Sequence, residues 1–305
     1  MATRREFLGG SVAVGTVLAG SAAGTEVAPA SACAAVARRR IPCTGELVPC
    51  IGLGTSRTLD VDPAGELADL KAVMRRFFDL GGSVIDSSPM YGRAEAVVGK
   101  LLSGLGRSDA FFATKVWTDK GREAGIAQMG DSERLMGAAR IDLMQIHNLV
   151  DYSTHLATLR EWKAAGRIRY IGATEMKRFD EVERIVREDG IDFIQIPYSM
   201  KERVVEQRVL PAAREHGVAV LVMRPFERAG LFDRVEGKPL PEWAKEFDCT
   251  SWAQFFLKWV LAHPAVTCPI PATSKVEHLV DNMAAGVGRL PDESLRKRML
   301  EHLGL

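Results

Sequence analysis

Short hydrophobic runs alternate along the chain with longer amphipathic segments, and a glycine repeatedly marks the boundary between them. Four amphipathic segments end at Gly81-Gly82, Gly166, Gly190 and Gly217, and an apolar run follows each one directly. Glycine just past a helix end supplies the left-handed turn that stops the helix. Runs rich in valine and isoleucine fit buried parallel strands. The pattern therefore predicts a series of βα units.

The same reading extended along the chain predicts eight strands and eight helices. The strands are expected at 50–53, 83–86, 111–115, 141–147, 167–172, 191–196, 218–223 and 267–269. The helices are expected at 63–80, 92–104, 122–139, 153–165, 177–188, 204–216, 250–262 and 275–286. Eight such units favour a closed (β/α)8 TIM barrel, with 226–249 as a long loop after the seventh strand. A doubly wound open sheet is the alternative, but no G-x-G-x-x-G follows the first strand.

The N-terminal segment has a pattern of its own. Arg4 and Arg5 precede an uncharged stretch rich in Gly, Ala and Ser, and Ala30-Ser31-Ala32 follows with a small-x-small spacing. Together these features resemble a twin-arginine (Tat) export signal, and the stretch is weakly apolar for a permanent anchor. We predict a Tat-type signal over 1–32 and one barrel domain over 33–305. Retention as an uncleaved anchor is the alternative.

This prediction has consequences for partners and location. The chain would engage the Tat export machinery, keep no stable membrane span after cleavage, and be periplasmic or secreted. The net charge is only +1, whereas a protein that binds nucleic acid through its phosphates is expected to be basic, so we expect no nucleic-acid partner. The five cysteines fit neither a disulfide scaffold nor a zinc site, and no metal is predicted.

Ionisable residues stand at the ends of three consecutive predicted strands. Asp86 closes the first, Lys115 the second and His147 the third, while Tyr91 lies five residues after Asp86. Chemistry in such barrels collects on the face where the strands end. An ammonium lowers the pKa of a neighbouring tyrosine, and a histidine can orient a carbonyl oxygen. The four residues predict a site that polarises a C=O group and transfers a proton, with hydride supplied by a redox cofactor.

Motifs spread over residues 41–288 resemble the aldo-keto reductase superfamily. They are Asp86 with SSPMYGRAE (87–95) directly after it, ATK (113–115), IDLMQIH (141–147), RYIGATE (169–175), IQIPYS (194–199) and IPATSKVEHLVDN (270–282). The resemblance implies a (β/α)8 barrel that reduces a small-molecule aldehyde or ketone with NAD(P)H. It makes Tyr91 the proton donor, with Lys115 and Asp86 tuning it and His147 orienting the carbonyl.

The resemblance also assigns cofactor positions, some of which depart from the family's usual residues. Glu175 replaces an amide that would help hold the carboxamide, and Met223 stands where an aromatic residue commonly stacks. Ala272, Thr273 and His278 stand where the family often uses Lys, Ser and Arg to bind a 2′-phosphate, so two cationic partners are missing or weakened. We still expect NADP, with NAD as the alternative. The expected cofactor-binding residues are Gly54, Thr55, Thr174, Gln195, Arg224, Ser274, Lys275, His278 and Asn282.

Three other functions remain open from the sequence. The chain could be a non-catalytic aldo-keto-reductase-like subunit that binds cofactor and regulates a partner. It could be a Schiff-base aldolase that uses Lys115, or a barrel that only binds a sugar-like ligand. The residues name neither the carbonyl substrate nor the oligomeric state.

Overall fold

The computed structural model describes residues 35–305, so the predicted export signal over 1–32 lies outside the described residues. The strands of the described part are β1 (Arg38–Arg40), β2 (Leu47–Pro49), β3 (Leu53–Gly54), β4 (Val84–Asp86), β5 (Phe111–Val116), β6 (Ile141–Ile146), β7 (Ile168–Thr174), β8 (Phe193–Pro197), β9 (Ala219–Met223) and β10 (Cys268–Pro269). The α-helices are α1 (Ala68–Asp79), α2 (Ala94–Leu105), α3 (Gly121–Met136), α4 (Tyr152–Ala164), α5 (Phe179–Glu188), α6 (Val209–Glu215), α7 (Gly230–Asp233), α8 (Trp252–Leu261), α9 (Val276–Ala284) and α10 (Glu293–Leu303).

Strands β3 to β10 form one parallel sheet in chain order, which confirms the predicted (β/α)8 architecture. The first and last strands of this sheet, β3 and β10, are joined by two backbone hydrogen bonds at their ends. The Gly52 N–H donates to the Pro269 carbonyl (3.0 Å), and the Gly54 N–H donates to the Pro271 carbonyl (3.2 Å). A Cβ on Gly54 would stand 2.6 Å from the Ile270 carbonyl oxygen, so this approach requires glycine. The unbroken strand order excludes the doubly wound alternative, whose order reverses.

The strands separate two apolar layers because successive side chains point to opposite faces. The layer inside the barrel contains Val84, Phe111, Leu143, Phe193 and Leu221, among others. The larger layer lies between the strands and the surrounding helices. The antiparallel β1–β2 hairpin contributes Ile41 and Val48 to the interior layer, so it covers one end of the barrel.

The glycine pattern is confirmed, whereas several other elements differ from the prediction. Gly81, Gly166, Gly190 and Gly217 all have positive φ, as a helix-ending turn requires. The β1–β2 hairpin was not predicted, because its strands have only three residues each and β1 is all arginine; α10 was not predicted either, although Leu295, Met299 and Leu303 recur in it at helical spacing. The segment 226–249 is not a plain loop, since it contains α7 and a 3-10 helix. Within residues 35–305, no helix has the length and apolar character to cross a bilayer.

Candidate active site

The barrel interior changes from apolar to polar toward the carboxyl ends of the strands. Every second side chain of a strand points to the same face. The inward-pointing residues are therefore Phe111, Ala113 and Lys115 on β5, and Leu143 and Gln145 on β6. The strand register places Lys115 opposite Gln145. Polar side chains from neighbouring strands therefore converge above the apolar interior, at the end of the barrel where sites of this fold form.

Asp86 is the centre of this polar cluster. The Lys115 ammonium donates to Asp86 Oδ2 at 2.7 Å and to the Ser87 carbonyl at 2.7 Å. The amide of Gln145 donates to Asp86 Oδ1 at 2.9 Å, and that of Gln195 donates to Oδ2 at 3.0 Å. The side chains of Asp86, Lys115, Gln145 and Gln195 are almost completely buried. The site therefore holds a buried ion pair with two amides oriented around it.

Gln145 was not among the residues expected from the sequence. A signal was present, because Gln145 is a polar residue inside the apolar run of β6, on the same face as Leu143. Gly172 on the neighbouring strand leaves room for it, since a Cβ there would stand 2.9 Å from Gln145 Cγ. A buried amide in a strand is retained where it has a partner, and here the partner is Asp86.

Tyr91 lies beside this ion pair on a 3-10 turn, Pro89–Tyr91, that follows β4. The Lys115 ammonium is 5.0 Å from the centre of its ring. Burial raises the pKa of Tyr91 and outweighs the lowering effect of Lys115. The lowering by Lys115 expected from the sequence is thus present, and burial makes the net shift a rise. Tyr91 keeps its proton at neutral pH, as a proton donor must.

Lys115 itself remains charged. Burial works against its charge, but the attraction of Asp86 and Tyr91 is larger and raises the pKa of the ammonium. A charged amine beside a protonated phenol is arranged to stabilise negative charge that develops on the phenol oxygen.

His147 completes the group of four expected catalytic residues. Its ring stands nearly perpendicular to that of Tyr91, with the ring centres 5.8 Å apart. Burial, assisted by repulsion from Lys115, lowers the pKa of His147 to about 3. The ring is therefore neutral at physiological pH and presents one N–H donor and one bare nitrogen.

The neutral state of His147 predicts a dependence of stability on pH. The pKa of histidine in an unfolded chain is about 6.5, so between this value and the folded value only the unfolded chain binds the proton. The free energy of unfolding should consequently fall as the pH drops below about 6.5. His147→Gln cannot take up this proton and should lose less stability over the same range.

Urea denaturation at several pH values from about 7 to about 5 measures this difference. The exposed His302 supplies the control, since His302→Gln should keep the pH dependence of the wild-type chain. Parallel curves for the wild type and His147→Gln would contradict a neutral, buried His147.

The turn after His147 is strained and is held from β7. Asn148, Leu149 and Asp151 all have positive φ, a conformation that asparagine and aspartate adopt more readily than leucine does. The Asn148 N–H donates to Thr174 Oγ1 at 3.0 Å. The Arg178 guanidinium donates to the Asn148 carbonyl at 2.6 Å. The turn is thus held at both the backbone N–H and the backbone carbonyl of Asn148.

Glu175 holds Arg178 in place for this contact. Its carboxylate accepts from Arg178 Nε at 2.8 Å and from the backbone N–H groups of Met176 and Lys177. These contacts lower the pKa of Glu175 even though burial opposes its charge. The carboxylate is fully engaged within its own turn. Glu175 therefore replaces the family's amide with a residue that supports the loop after His147.

Removing the Arg178 guanidinium should loosen this turn. We expect Arg178→Ala to speed amide hydrogen exchange in the segment 147–151 by about tenfold, the factor for a loss near 1.4 kcal/mol. Lys177→Ala is the matched control, because its exposed side chain leaves the backbone contact to Glu175 intact. Mass spectrometry of exchanged peptides reports the segment directly. Equal protection in both variants would show that Arg178 does not hold the turn.

The expected cofactor residues fall into two groups. Gln195 belongs to the buried cluster and Thr174 lies in register with it on β7, whereas Ser274, Lys275 and His278 lie at the start of α9 and Asn282 lies near its end. Asn282 is buried, and the other three are exposed. Ser274 and Lys275 line an open cavity of about 820 Å³ together with residues between 58 and 70. A helix N-terminus beside a lysine favours an anionic group.

Arg224 lies between these groups in sequence, directly after β9. It has a positive φ and is half-buried. Burial lowers its pKa, with repulsion from Arg228 acting in the same direction and attraction to Glu227 acting against it. A guanidinium at the end of a barrel strand is a suitable partner for a phosphate or carboxylate group.

Gly54 and Thr55 have structural roles that the sequence did not indicate. Gly54 permits the closing contact between the first and last strands. The buried Thr55 hydroxyl lies 3.0 Å from the Asp86 carbonyl oxygen and 2.9 Å from Ser87 Oγ. Gly54 therefore serves the closure of the barrel, and Thr55 supports the loop after β4.

A family model described as the aldo/keto reductase family matches residues 50–298. The aldo-keto reductase yakc, named for NADP(+), of Schizosaccharomyces pombe is 26% identical over 83% of this chain and 88% of its own length. The NADH-specific methylglyoxal reductase of Escherichia coli is 30% identical over 54% of this chain and 59% of its own length.

Solved structures show the same architecture. An aldo-keto reductase from Bacillus halodurans in its holo form superposes with a TM-score of 0.73 at 24% identity, covering 88% of this chain and 96% of that chain. An aldo/keto reductase from Klebsiella pneumoniae, solved with NADP and acetate, superposes with a TM-score of 0.70 at 28% identity, covering 85% and 92%.

Proposed function

Because this chain belongs to the aldo/keto reductase family, we propose that it reduces an aldehyde or ketone to an alcohol at the site formed by Asp86, Tyr91, Lys115 and His147. The observation that carries this proposal is the placing of a protonated phenol beside a buried ammonium and a neutral imidazole. These three groups suit a carbonyl oxygen that gains negative charge and then a proton.

The chain's own residues account for the proton and for the orientation of the substrate. A nicotinamide cofactor, when bound, supplies the hydride that the carbonyl carbon receives. Tyr91 donates its phenolic proton to the carbonyl oxygen, and Lys115 stabilises the phenolate that remains. His147 orients the oxygen as a neutral hydrogen-bond donor. Asp86 holds the ammonium in place from below, with Gln145 supporting the carboxylate.

The residues present fit a nicotinamide cofactor. Gln195 Oε1 is buried and lacks a hydrogen-bond partner within residues 35–305, and a carboxamide NH₂ group is the kind of donor it requires. Thr174 would assist from β7, and Arg224 would attract a phosphate. Ser274, Lys275, His278 and Asn282 would hold the adenosine end. We propose NADP as the cofactor, with NAD as the alternative, in line with the names of the relatives.

Fluorescence titration of the purified protein with NADPH and with NADH tests this proposal, followed by a screen of aldehydes and ketones. We expect saturable binding, with the tighter dissociation constant for NADPH, and cofactor oxidation only when a carbonyl compound is present. Lys275→Ala should weaken NADPH binding more than NADH binding, because the lost charge acts on the additional phosphate. Absence of binding by either cofactor would overturn the proposed function.

We propose further that residues 1–32 form a Tat-type signal, that 33–305 is the exported barrel, and that the protein is periplasmic or secreted. Arg4, Arg5 and the Ala30-Ser31-Ala32 site support this proposal. Replacing both Arg4 and Arg5 by lysine should retain the protein inside the cell, as measured by fractionation. Arg75→Lys with Arg76→Lys is the matched control, because this second arginine pair lies on α1. Equal export of both variants would contradict a Tat signal.

A further inference from the structure

One buried hydroxyl joins the turn that carries Tyr91 to the ring of His147. Ser88 Oγ lies 3.0 Å from His147 Nδ1, and the side chains of both residues are buried. The same oxygen accepts the Met90 N–H at 3.1 Å, at the start of the Pro89–Tyr91 turn. Ser88 therefore contacts the elements that position both the proton donor and the histidine.

The hydrogen bonds available to Ser88 distinguish the two neutral forms of the imidazole. If Nδ1 is bare, the Ser88 hydroxyl donates to it while its lone pair accepts the Met90 N–H, so Nδ1 and both functions of the hydroxyl are satisfied. If Nδ1 carries the proton, Ser88 accepts twice. Its own hydrogen then finds no acceptor among residues 35–305. Buried donors without a partner are rare in folded proteins, so the first arrangement is favoured.

We propose that Ser88 is a positioning residue that fixes His147 as the Nε2–H tautomer. The N–H of this tautomer donates to the carbonyl oxygen of the substrate, and the Ser88 bond sets the plane of the ring. The role of this N–H toward the substrate rests on the proposed carbonyl reduction, whereas the assignment of the tautomer does not. The same hydroxyl also accepts the Met90 N–H in the turn that carries Tyr91. Ser88 Oγ therefore helps to position both the proton donor, Tyr91, and the orienting donor, His147.

Nitrogen NMR of the full protein labelled with ¹⁵N-histidine tests the tautomer directly. The His147 signals are assigned by their loss in His147→Gln. We expect Nδ1 to show the downfield shift of a bare ring nitrogen and Nε2 the shift of a protonated one, across neutral pH. A protonated Nδ1 would overturn the proposal, whether or not the protein reduces a carbonyl compound.

Ser88→Ala tests whether this residue sets the tautomer. We expect the Nδ1–H form to appear in the spectrum and kcat to fall about threefold to tenfold, with a smaller change in KM. Ser87→Ala is the matched control for the spectrum, because its hydroxyl contacts Thr55 and not His147. An unchanged tautomer in Ser88→Ala would refute the assignment. If the tautomer is as expected in the wild type but no carbonyl compound is reduced, only the proposed function fails.

Discussion

Tyr91→Phe should lower kcat for carbonyl reduction by about 10²- to 10⁴-fold, the range for loss of a positioned general acid. The change removes one oxygen atom and leaves the aromatic ring that packs against His147. Without the phenol, the carbonyl oxygen would have to take its proton from water. Binding of NADPH should be close to that of the wild type, because the expected cofactor contacts come from other residues.

Steady-state kinetics and cofactor titration on the same preparation separate these effects. Tyr170→Phe is the matched control, since its hydroxyl contacts Thr44 and Glu46 near the β1–β2 hairpin. This variant should retain activity. Equal turnover by Tyr91→Phe and the wild type would refute Tyr91 as the proton donor. Cofactor binding without turnover in the wild type would instead favour the non-catalytic, regulatory alternative.

Asp86→Asn should be the most destabilising conservative change at the site. The substitution keeps the shape of the side chain but leaves the buried Lys115 ammonium without its counter-ion. Removing one partner of a buried ion pair typically costs about 3–5 kcal/mol of unfolding free energy. Turnover should fall as well. Burial without a counter-ion lowers the pKa of Lys115, so the amine loses its charge beside Tyr91. Urea denaturation and kinetics measure the two effects.

A double variant shows whether the loss comes from the unpaired charge. Asp86→Asn with Lys115→Met contains no buried charge at this position and should recover part of the stability, although not the activity. Glu242→Gln is the control for breaking an exposed pair, since Glu242 contacts Lys245 at the surface, and its effect should be much smaller. A loss for Asp86→Asn no larger than that of Glu242→Gln would contradict the buried pair.

Much of the barrel could be predicted because its signals are local in sequence. A glycine at a helix end and an apolar run after it are read within about ten residues, and each βα unit repeats them. The hairpin was missed because strands of three residues show no apolar period, whereas the helical spacing of Leu295, Met299 and Leu303 in α10 was a signal present in the sequence. The interior position of Gln145 was also recoverable, since it follows from counting by two along β6 from Leu143.

Local patterns were enough to predict the order of the βα units, the left-handed glycines and the strand-end residues Asp86, Lys115 and His147. How these residues act depends on contacts that form only in the folded chain. The net rise in the pKa of Tyr91 depends on burial, which no local pattern reports. The contacts of Ser88 with His147 and of Arg178 with Asn148 join residues 59 and 30 positions apart. Such pairings arise when nearby parallel strands assemble in the sheet, because their carboxyl ends then lie at the same end of the barrel.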